Sequence, residues 1–297
     1  MQEDVFSSYN PITNFIFFMG AIVMTMFFMH PVFALCSLVC ALVFYFTLKR
    51  TKGFKSLKFS IPLLVILTVI NPLFNTQGKH IIFKIFGRPY TIESLLYGLT
   101  LALVVVAVFY WFGCFNVVLT SDKFIYLFGR ITPSISLILS MIFRLIPDFQ
   151  RKTTQIYNAR ASIGMAGDSS SSKKEKIRNG AVILGTLTSW ALENGIMAAD
   201  SMRSRGYGSG RRTSFAIYKF DVRNIILILA FVFFGGLTVV CAAMGGTEAE
   251  FTPSLNMAWF GNIWTITGII VYAVYLILPT LLNVKEAITW HVLRSRI

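Results

Sequence analysis

The chain has 297 residues, with 27 lysines and arginines against 13 aspartates and glutamates, a net charge of +14 and a mean hydropathy of +0.67. Hydrophobic residues make up 55% and charged residues only 13%, about half the charged share usual in soluble domains. So few charges cannot cover a soluble fold of this length. A soluble globular enzyme, a disordered chain, a collagen and a disulfide-stapled secreted domain are therefore excluded, and most of the surface must face lipid.

The head carries Glu3 and Asp4 and neither lysine nor arginine, unlike the positive start of a secretory signal. The first apolar run, Ile12 to Met29, predicts a membrane helix. A second, Val32 to Leu48, follows after only His30 and Pro31, as in a tight turn between antiparallel helices. At about 1.5 Å per residue each spans roughly 26 Å, close to the hydrocarbon thickness of a bilayer. A basic loop from Lys49 to Lys58 leads to a third run, Ile61 to Phe74, bounded by Pro62 and the Asn71-Pro72 pair. Its roughly 20 Å predicts a span that is tilted, broken or thinning the bilayer. A loop with Gly78, Gly87 and Pro89 precedes the fourth run, Leu95 to Leu119, and Ile225 to Met244 and Trp259 to Leu282 close the chain. Six crossings are expected.

Basic residues in a membrane protein report topology first. Five fall in Lys49 to Lys58, three in Lys79 to Arg88, sixteen in Lys123 to Arg223 and three in Lys285 to Arg296. Placing 49–58, 121–223 and the tail in the cytoplasm puts 24 of the 27 inside. Both termini are then cytoplasmic, and the acidic loop with Glu248 and Glu250 lies outside. The loop at 75–92 also falls outside despite its three cations, because a re-entrant third run would export the sixteen-cation region.

The composition shifts between 121 and 222, where Leu, Ile and Ala are interrupted by charge every few residues. The expected organisation is N-terminal membrane helices over 1–120, a cytoplasmic domain over 121–222, and closing helices with a short amphipathic tail over 223–297. From Ser134 an apolar stripe runs through Ile138, Met141, Leu145 and Phe149, with Arg144, Asp148, Arg151 and Lys152 on other faces. Pro147 predicts a kink in this helix. The Gly/Ser-rich stretch 164–172 reads as a flexible turn. A second helix, about Lys173 to Met202, carries Ala181, Leu184, Thr188, Ala191, Gly195, Ala198 and Met202 at spacings of three and four, a seam of mostly small residues that admits another helix backbone.

Both amphipathic helices run into an arginine between small residues, Ala159-Arg160-Ala161 and Ser204-Arg205-Gly206. Small flanks let a partner backbone approach, and the guanidinium offers a five-donor fork to carboxylates or carbonyls. A cation near a helix C-terminus is also favoured by the macrodipole. From spacing alone, snorkelling or headgroup-binding arginines are the favoured reading. Glu193 and Asp200, inside the second helix, fit either pairing with Arg144 or Arg203 or contact with a partner subunit.

The two tripeptides, with Phe143-Arg144-Leu145-Ile146-Pro147 upstream and the run Ala198 to Tyr207 downstream, resemble the transmembrane T component of energy-coupling factor transporters, the family of the cobalt-importer Q subunit. The family pattern is Ala-Arg-Ser or Ala-Arg-Gly at the two sites; here Ala161 takes the third position of the first and Ser204 the first position of the second, both small. The resemblance implies an all-α integral membrane protein of about six transmembrane helices plus a pair of long amphipathic coupling helices. It implies the scaffold of an importer for vitamins or transition-metal ions, non-catalytic itself, docked to two cytoplasmic ABC ATPases that carry ATP and magnesium and to a separate substrate-binding membrane subunit, the S component. By the same resemblance Arg160 and Arg205, with Ala159, Ala161, Ser204 and Gly206 around them, each enter a groove on one ATPase, and Arg144, Pro147, Glu193, Asp200 and Arg203 build the coupling helices.

Other chemistry is sparse. Gly180 to Gly185 has the glycine spacing of a P-loop but continues Thr186-Leu187 without the phosphate-holding lysine. The segment Gly206 to Arg212 follows a helix end and reads as a C-cap with a basic loop rather than a phosphate cradle or nucleic-acid arm. His30, His80 and His291 are far apart and read as interfacial. Cys36 and Cys40 share a helix face without further ligands, and all four cysteines, with Cys114 and Cys241, sit in apolar runs as small hydrophobes. Neither a bound cofactor, a metal site nor a nucleic-acid partner is expected on this chain. Two other functions stay open at this stage: a conventional ABC permease subunit lining its own solute path, which would need polar groups within the spans, and an intramembrane enzyme, for which no catalytic constellation stands in the apolar runs.

Overall fold

The computed structural model describes residues 5–49, 53–75, 78–85, 88–131, 133–165, 172–209, 218, 220–247, 249–251, 256–257 and 262–294. After a single turn, α1 (Val5–Ser8), helix α2 (Pro11–Phe27) begins where the local rules place it: Asn10 Oδ1 accepts from the Ile12 N–H at 3.0 Å and Pro11 occupies the first helical position. Helices α3 (Pro31–Lys49), α4 (Phe54–Phe74) and α5 (Ile92–Val118) follow. Thr91 caps α5 through Ser94 N, so this helix starts three residues before the apolar run does. Later come α6 (Ser121–Ile131), α7 (Pro133–Ser162), α8 (Lys173–Ser204), α9 (Val222–Cys241) with a π turn over Ala242–Gly246, and α10 (Ile263–Arg294).

Among the described residues, five helical segments are long and apolar enough to cross a membrane: Pro31–Lys49, Ser56–Phe74, Ile92–Val118, Val222–Gly246 and Ile263–Lys285. Pro11–Phe27 is a shorter apolar helix of 17 residues. The chain is thus an all-α multi-pass membrane protein, with two small two-stranded ribbons among the described residues.

The third span is not short. Helix α4 has 21 residues because Phe54 to Lys58, assigned from sequence to the basic loop, are helical, as are Phe59 and Ser60 after them. Gly53, at the N-cap of α4, lies close against α3, since a Cβ there would stand 2.9 Å from the Phe46 ring. Both Pro62 and Pro72 lie inside α4 rather than ending it. Pro72 brings no N–H for the Thr68 carbonyl, and that oxygen faces Gly98 of α5, where a Cβ would stand 3.0 Å from it and 2.7 Å from Asn71 Cβ. The glycine lets the two helices close over the gap in the ladder.

The 75–92 segment is a hairpin rather than a plain loop. Strands β1 (Ile81–Ile85) and β2 (Arg88–Thr91) pair antiparallel from Ile81 with Thr91 to Ile85 with Arg88. A two-stranded ribbon tolerates Pro89 because both its strands are edges. The buried carboxylate of Glu93, in the first turn of α5, accepts from the backbone N–H groups of Lys79 at 3.2 Å and His80 at 3.1 Å and fastens the hairpin to the helix. A second, shorter ribbon pairs β3 (Ala249–Glu250) with β4 (Asn256–Met257).

The chain divides into two compact units, Met1–Lys123 with Tyr218–Ile297, and Phe124–Ile217. In the first, α5 packs on α2, α3 and α4, while α10 packs on α1, α3 and α9. The core is aromatic. The Phe17 ring meets Phe6, Trp111, Phe231 and Tyr275 at centroid distances of 5.1 to 5.6 Å, and the Tyr275 hydroxyl donates to the Phe17 carbonyl at 2.9 Å beside Gly20. One cluster of polar groups joins four of the helices: Thr25 Oγ1 lies 2.7 Å from Ser37 Oγ and 2.8 Å from the Tyr272 hydroxyl, and Trp111 Nε1 donates to Ser37 Oγ at 3.0 Å. Outward faces are apolar, as on α4 with Ile61, Val65, Val69 and Leu73 and on α9 with Ile226, Leu229 and Phe233. All four cysteines are free thiols. His30, in the turn between α2 and α3, is buried with its ring edge-on to Phe33; His80 is exposed, and the His291 side chain lies outside the described residues.

Candidate functional site

The second unit centres on the α7–α8 pair. Of the stripe read from sequence, Met141, Leu145 and Phe149 are half-buried, whereas Ile138 is exposed. Phe149 meets Trp190 edge-on at 5.7 Å, and Lys152 Nζ stands 5.6 Å from the centre of the same indole. Further along, Arg160 of α7 reaches Asn179 of α8, so the two helices run antiparallel. Helix α7 passes through Pro147 as one element; the proline leaves the Phe143 carbonyl without its helical donor but does not end the helix.

The face that α8 turns to α7 differs from the expected seam. Its half-buried positions include a row of Asn179, Ile183, Leu187, Trp190 and Asn194, spaced four, four, three and four. The small-residue seam lies mostly elsewhere: Ala181, Leu184, Thr188, Gly195 and Ala198 are exposed, only Ala191 and Met202 are half-buried, and nothing lies within 4 Å of a Cβ placed at Gly185 or Gly195. Large side chains fill the gap between two helices that already touch, and the small residues remain open with exposed Leu192, Ile196 and Met197 beside them.

Both helices end in the same C-terminal motif. In α7 the Met165 N–H bonds to Arg160 O at 2.8 Å and the Gly164 N–H to Ala161 O at 3.0 Å, with Gly164 at φ +72°. In α8 the Tyr207 N–H bonds to Met202 O at 3.0 Å and the Gly206 N–H to Arg203 O at 3.0 Å, with Gly206 at φ +76°. These are Schellman motifs, in which glycine takes the left-handed position without a Cβ penalty. The C-cap reading of Gly206 therefore holds, while residues 210–217, the rest of the basic loop, lie outside the described residues.

Measured against this motif the two arginines are not equivalent. Arg160 lies four residues before its glycine, inside the last helical turn; Arg205 is the C-cap residue immediately before its own. Arg160 is half-buried, and its Nη2 donates to Asn179 Oδ1 at 3.1 Å and to the Met165 carbonyl at 3.3 Å. Its Nε is buried without a partner. Arg205 is exposed, and no side chain among the described residues holds it. Ala159, Ala161, Ser204 and Gly206 are exposed, and Ser204 Oγ donates to the Asp200 carbonyl at 2.9 Å.

Arg144, Pro147, Glu193, Asp200 and Arg203 are all exposed. Among the described residues no ion pair joins Glu193 or Asp200 to Arg144 or Arg203, so the expected intramolecular pairing does not form and both carboxylates face outward. Nor do three or more His, Cys, Asp or Glu side chains gather among the described residues as a metal would require. Sequence reasoning missed Asn179 and Glu93. Asn179 carries no local signal, because its role depends on a residue 19 positions away; Glu93 was signalled by its place two residues after the capping Thr91.

Compared with known proteins, residues 3–215, more than two thirds of the chain, match the family model CbiQ, cobalt transport protein. No curated protein matches it.

Proposed function

The chain belongs to the CbiQ family of cobalt transport proteins, and from that premise we propose that it is the T component of an energy-coupling factor importer. In this role it is a non-catalytic membrane scaffold crossing the bilayer six times, with α7, α8 and both termini in the cytoplasm. Two ABC ATPases, which carry the ATP and magnesium, dock on its arginines. A separate S component in the membrane carries the vitamin or metal ion, and ATPase closure moves the α7–α8 pair so that the S component changes orientation.

One observation carries this reading: two paired helices, in a unit of their own, each end in a Schellman motif with an arginine at or within one turn of the end. The motif uses the last carbonyls of each helix internally, so the guanidinium is the group left to engage another subunit. Four exposed residues of the two tripeptides, Ala159, Ala161, Ser204 and Gly206, offer small flanks for such a partner. Glu193 and Asp200, exposed and unpaired, add anionic points for a partner on α8. The interhelical bonds among Thr25, Ser37, Trp111 and Tyr272 favour a scaffold over a permease that lines its own solute path, since these groups hold helices together.

The test is coexpression with tagged ATPase subunits in detergent, comparing wild type with Arg160→Ala and Arg205→Ala. Each substitution is expected to cost roughly 2–5 kcal/mol of assembly, the range for truncating one partner of a buried charged contact, with expression unchanged. Full assembly and transport by both variants would remove the basis of the proposal.

A further inference from the structure

We propose that Asn179 is a positioning residue for the first ATPase contact, holding the Arg160 guanidinium in its docking orientation before any partner arrives. The inference rests on the scaffold reading above and adds a residue outside both arginine tripeptides. It also assigns different roles to the two arginines, one held and one free.

The geometry is a double stitch. The Arg160 carbonyl accepts the Met165 N–H at 2.8 Å, while the Arg160 side chain folds over the same turn and donates to the Met165 carbonyl at 3.3 Å. Asn179 Oδ1, on the facing helix, takes a second bond from the same Nη2 at 3.1 Å. Both Nη2 protons are thereby engaged and Nε is enclosed without a partner, which leaves the Nη1 edge as the side of the fork open to an incoming subunit. A free arginine loses side-chain entropy when it is immobilised at an interface. Here that loss has been taken in folding, and the register between α7 and α8 sets the direction in which the charge points.

Arg205 stands in contrast. It sits at the C-cap, exposed and without a side-chain partner among the described residues, so its ordering falls entirely on docking. Asn179 also ties the orientation of Arg160 to the packing of the helix pair, anchored one end by Phe149 against Trp190 and the other by this hydrogen bond. A shift of α8 along α7 would therefore re-aim Arg160 and leave Arg205 free.

The experiment uses the full chain with tagged ATPase subunits and measures their dissociation constant for wild type, Asn179→Ala, Asn179→Asp, Arg160→Ala, Arg205→Ala and the double variants. Unfolding of each variant is followed by intrinsic tryptophan fluorescence. The expected result is that Asn179→Ala weakens assembly by on the order of tenfold, the scale of a hydrogen bond to a charged group, whereas Asn179→Asp, which keeps the acceptor, retains affinity. Asn179→Ala should add nothing on an Arg160→Ala background and its full effect on an Arg205→Ala background. Unchanged or tighter assembly in Asn179→Ala, with Arg160→Ala still defective, overturns the positioning role and leaves the scaffold reading intact. Equal effects of Asn179→Ala on both arginine backgrounds mean a general loss of folding and also overturn it. Should Arg160→Ala itself assemble normally, the scaffold reading fails first.

Discussion

The Tyr272 hydroxyl and Thr25 Oγ1 lie 2.8 Å apart, joining α10 to α2 across 247 residues of chain. Thr25 is the hub of this contact, since its hydroxyl also meets Ser37 Oγ and donates to the Ala21 carbonyl at 2.7 Å. Removing Tyr272's oxygen leaves Thr25 with partners, so Tyr272→Phe should cost only about 1 kcal/mol. Thr25→Val strands the buried Tyr272 hydroxyl and should cost about 2–3 kcal/mol. Thermal unfolding in detergent checks the order; a larger loss for Tyr272→Phe would contradict the hub assignment.

The α4–α5 contact makes a prediction about backbone distance. A Cβ on Gly98 would stand 2.7 Å from Asn71 Cβ and 3.0 Å from the Thr68 carbonyl, so Gly98→Ala forces the helices apart and should destabilise by about 1–3 kcal/mol. Gly236, on α9, has nothing within 4 Å of its would-be Cβ. Gly236→Ala should be neutral or stabilise by up to about 1 kcal/mol through helix propensity alone. Apparent melting temperatures of the two variants should move in opposite directions or differ clearly, and equal shifts would mean that helix approach at Gly98 is not what that glycine provides.

The membrane helices were legible in the sequence because an apolar run needs no partner to be recognised: each run from Ile12 onward lies on a helix within a few residues. Legibility failed where a neighbour decides the outcome. The first turns of α4 looked like a basic loop because Lys55 and Lys58 stand in them, yet helical backbone there continues the Ile61 to Phe74 run. The hairpin rests on pairing between 81–85 and 88–91 and on the distant carboxylate of Glu93. On α8 the periodic seam of small residues was visible, but its partner was not; α7 instead takes the stripe with Ile183, Leu187 and Trp190. At the candidate site, both helix ends followed from Gly164 and Gly206. The unequal placement of the two arginines was present in their distances to those glycines, four residues against one, and was hidden by comparing tripeptides alone.

His30 gives a pH dependence with a definite sign. Its Nδ1 accepts from the Val32 N–H at 3.3 Å, so the neutral ring carries its proton on Nε2, which is buried without an acceptor. Burial lowers its pKa below the ordinary histidine value of 6.5. The unfolded chain therefore binds the proton first, and the stability contributed by neutral His30 is fully present above about pH 6.5 and is lost as pH falls toward the folded-state pKa. Wild-type melting temperature should drop between about pH 7.5 and pH 5, and His30→Gln should flatten part of that drop while lowering the high-pH plateau. An identical pH slope in wild type and variant would show that His30 binds its proton alike in the folded and unfolded chain, against a lowering by burial.

Lys123 ties three chain segments at one point. Its ammonium donates to Val118 O at 2.8 Å at the end of α5, to Ser7 Oγ at 2.7 Å and to the Ser7 carbonyl in α1, and the residue is only 5% exposed. A buried cation is tolerated here because it meets the carbonyl end of a helix, where the macrodipole is negative, and because its ammonium donates to three oxygens. Lys123→Met keeps the volume and removes the donors, and should cost about 2–3 kcal/mol. Lys123→Arg retains charge and donors but not the compact ammonium, and should fall between the two. Because Ser7 precedes α2 and Val118 ends α5, the loss should appear as protease sensitivity near the N-terminus together with a lower melting temperature. A Lys123→Met protein with wild-type melting and an uncut N-terminus would show that α1 is held by the Phe6 contacts and the Asn283 bond to the Phe6 N–H instead.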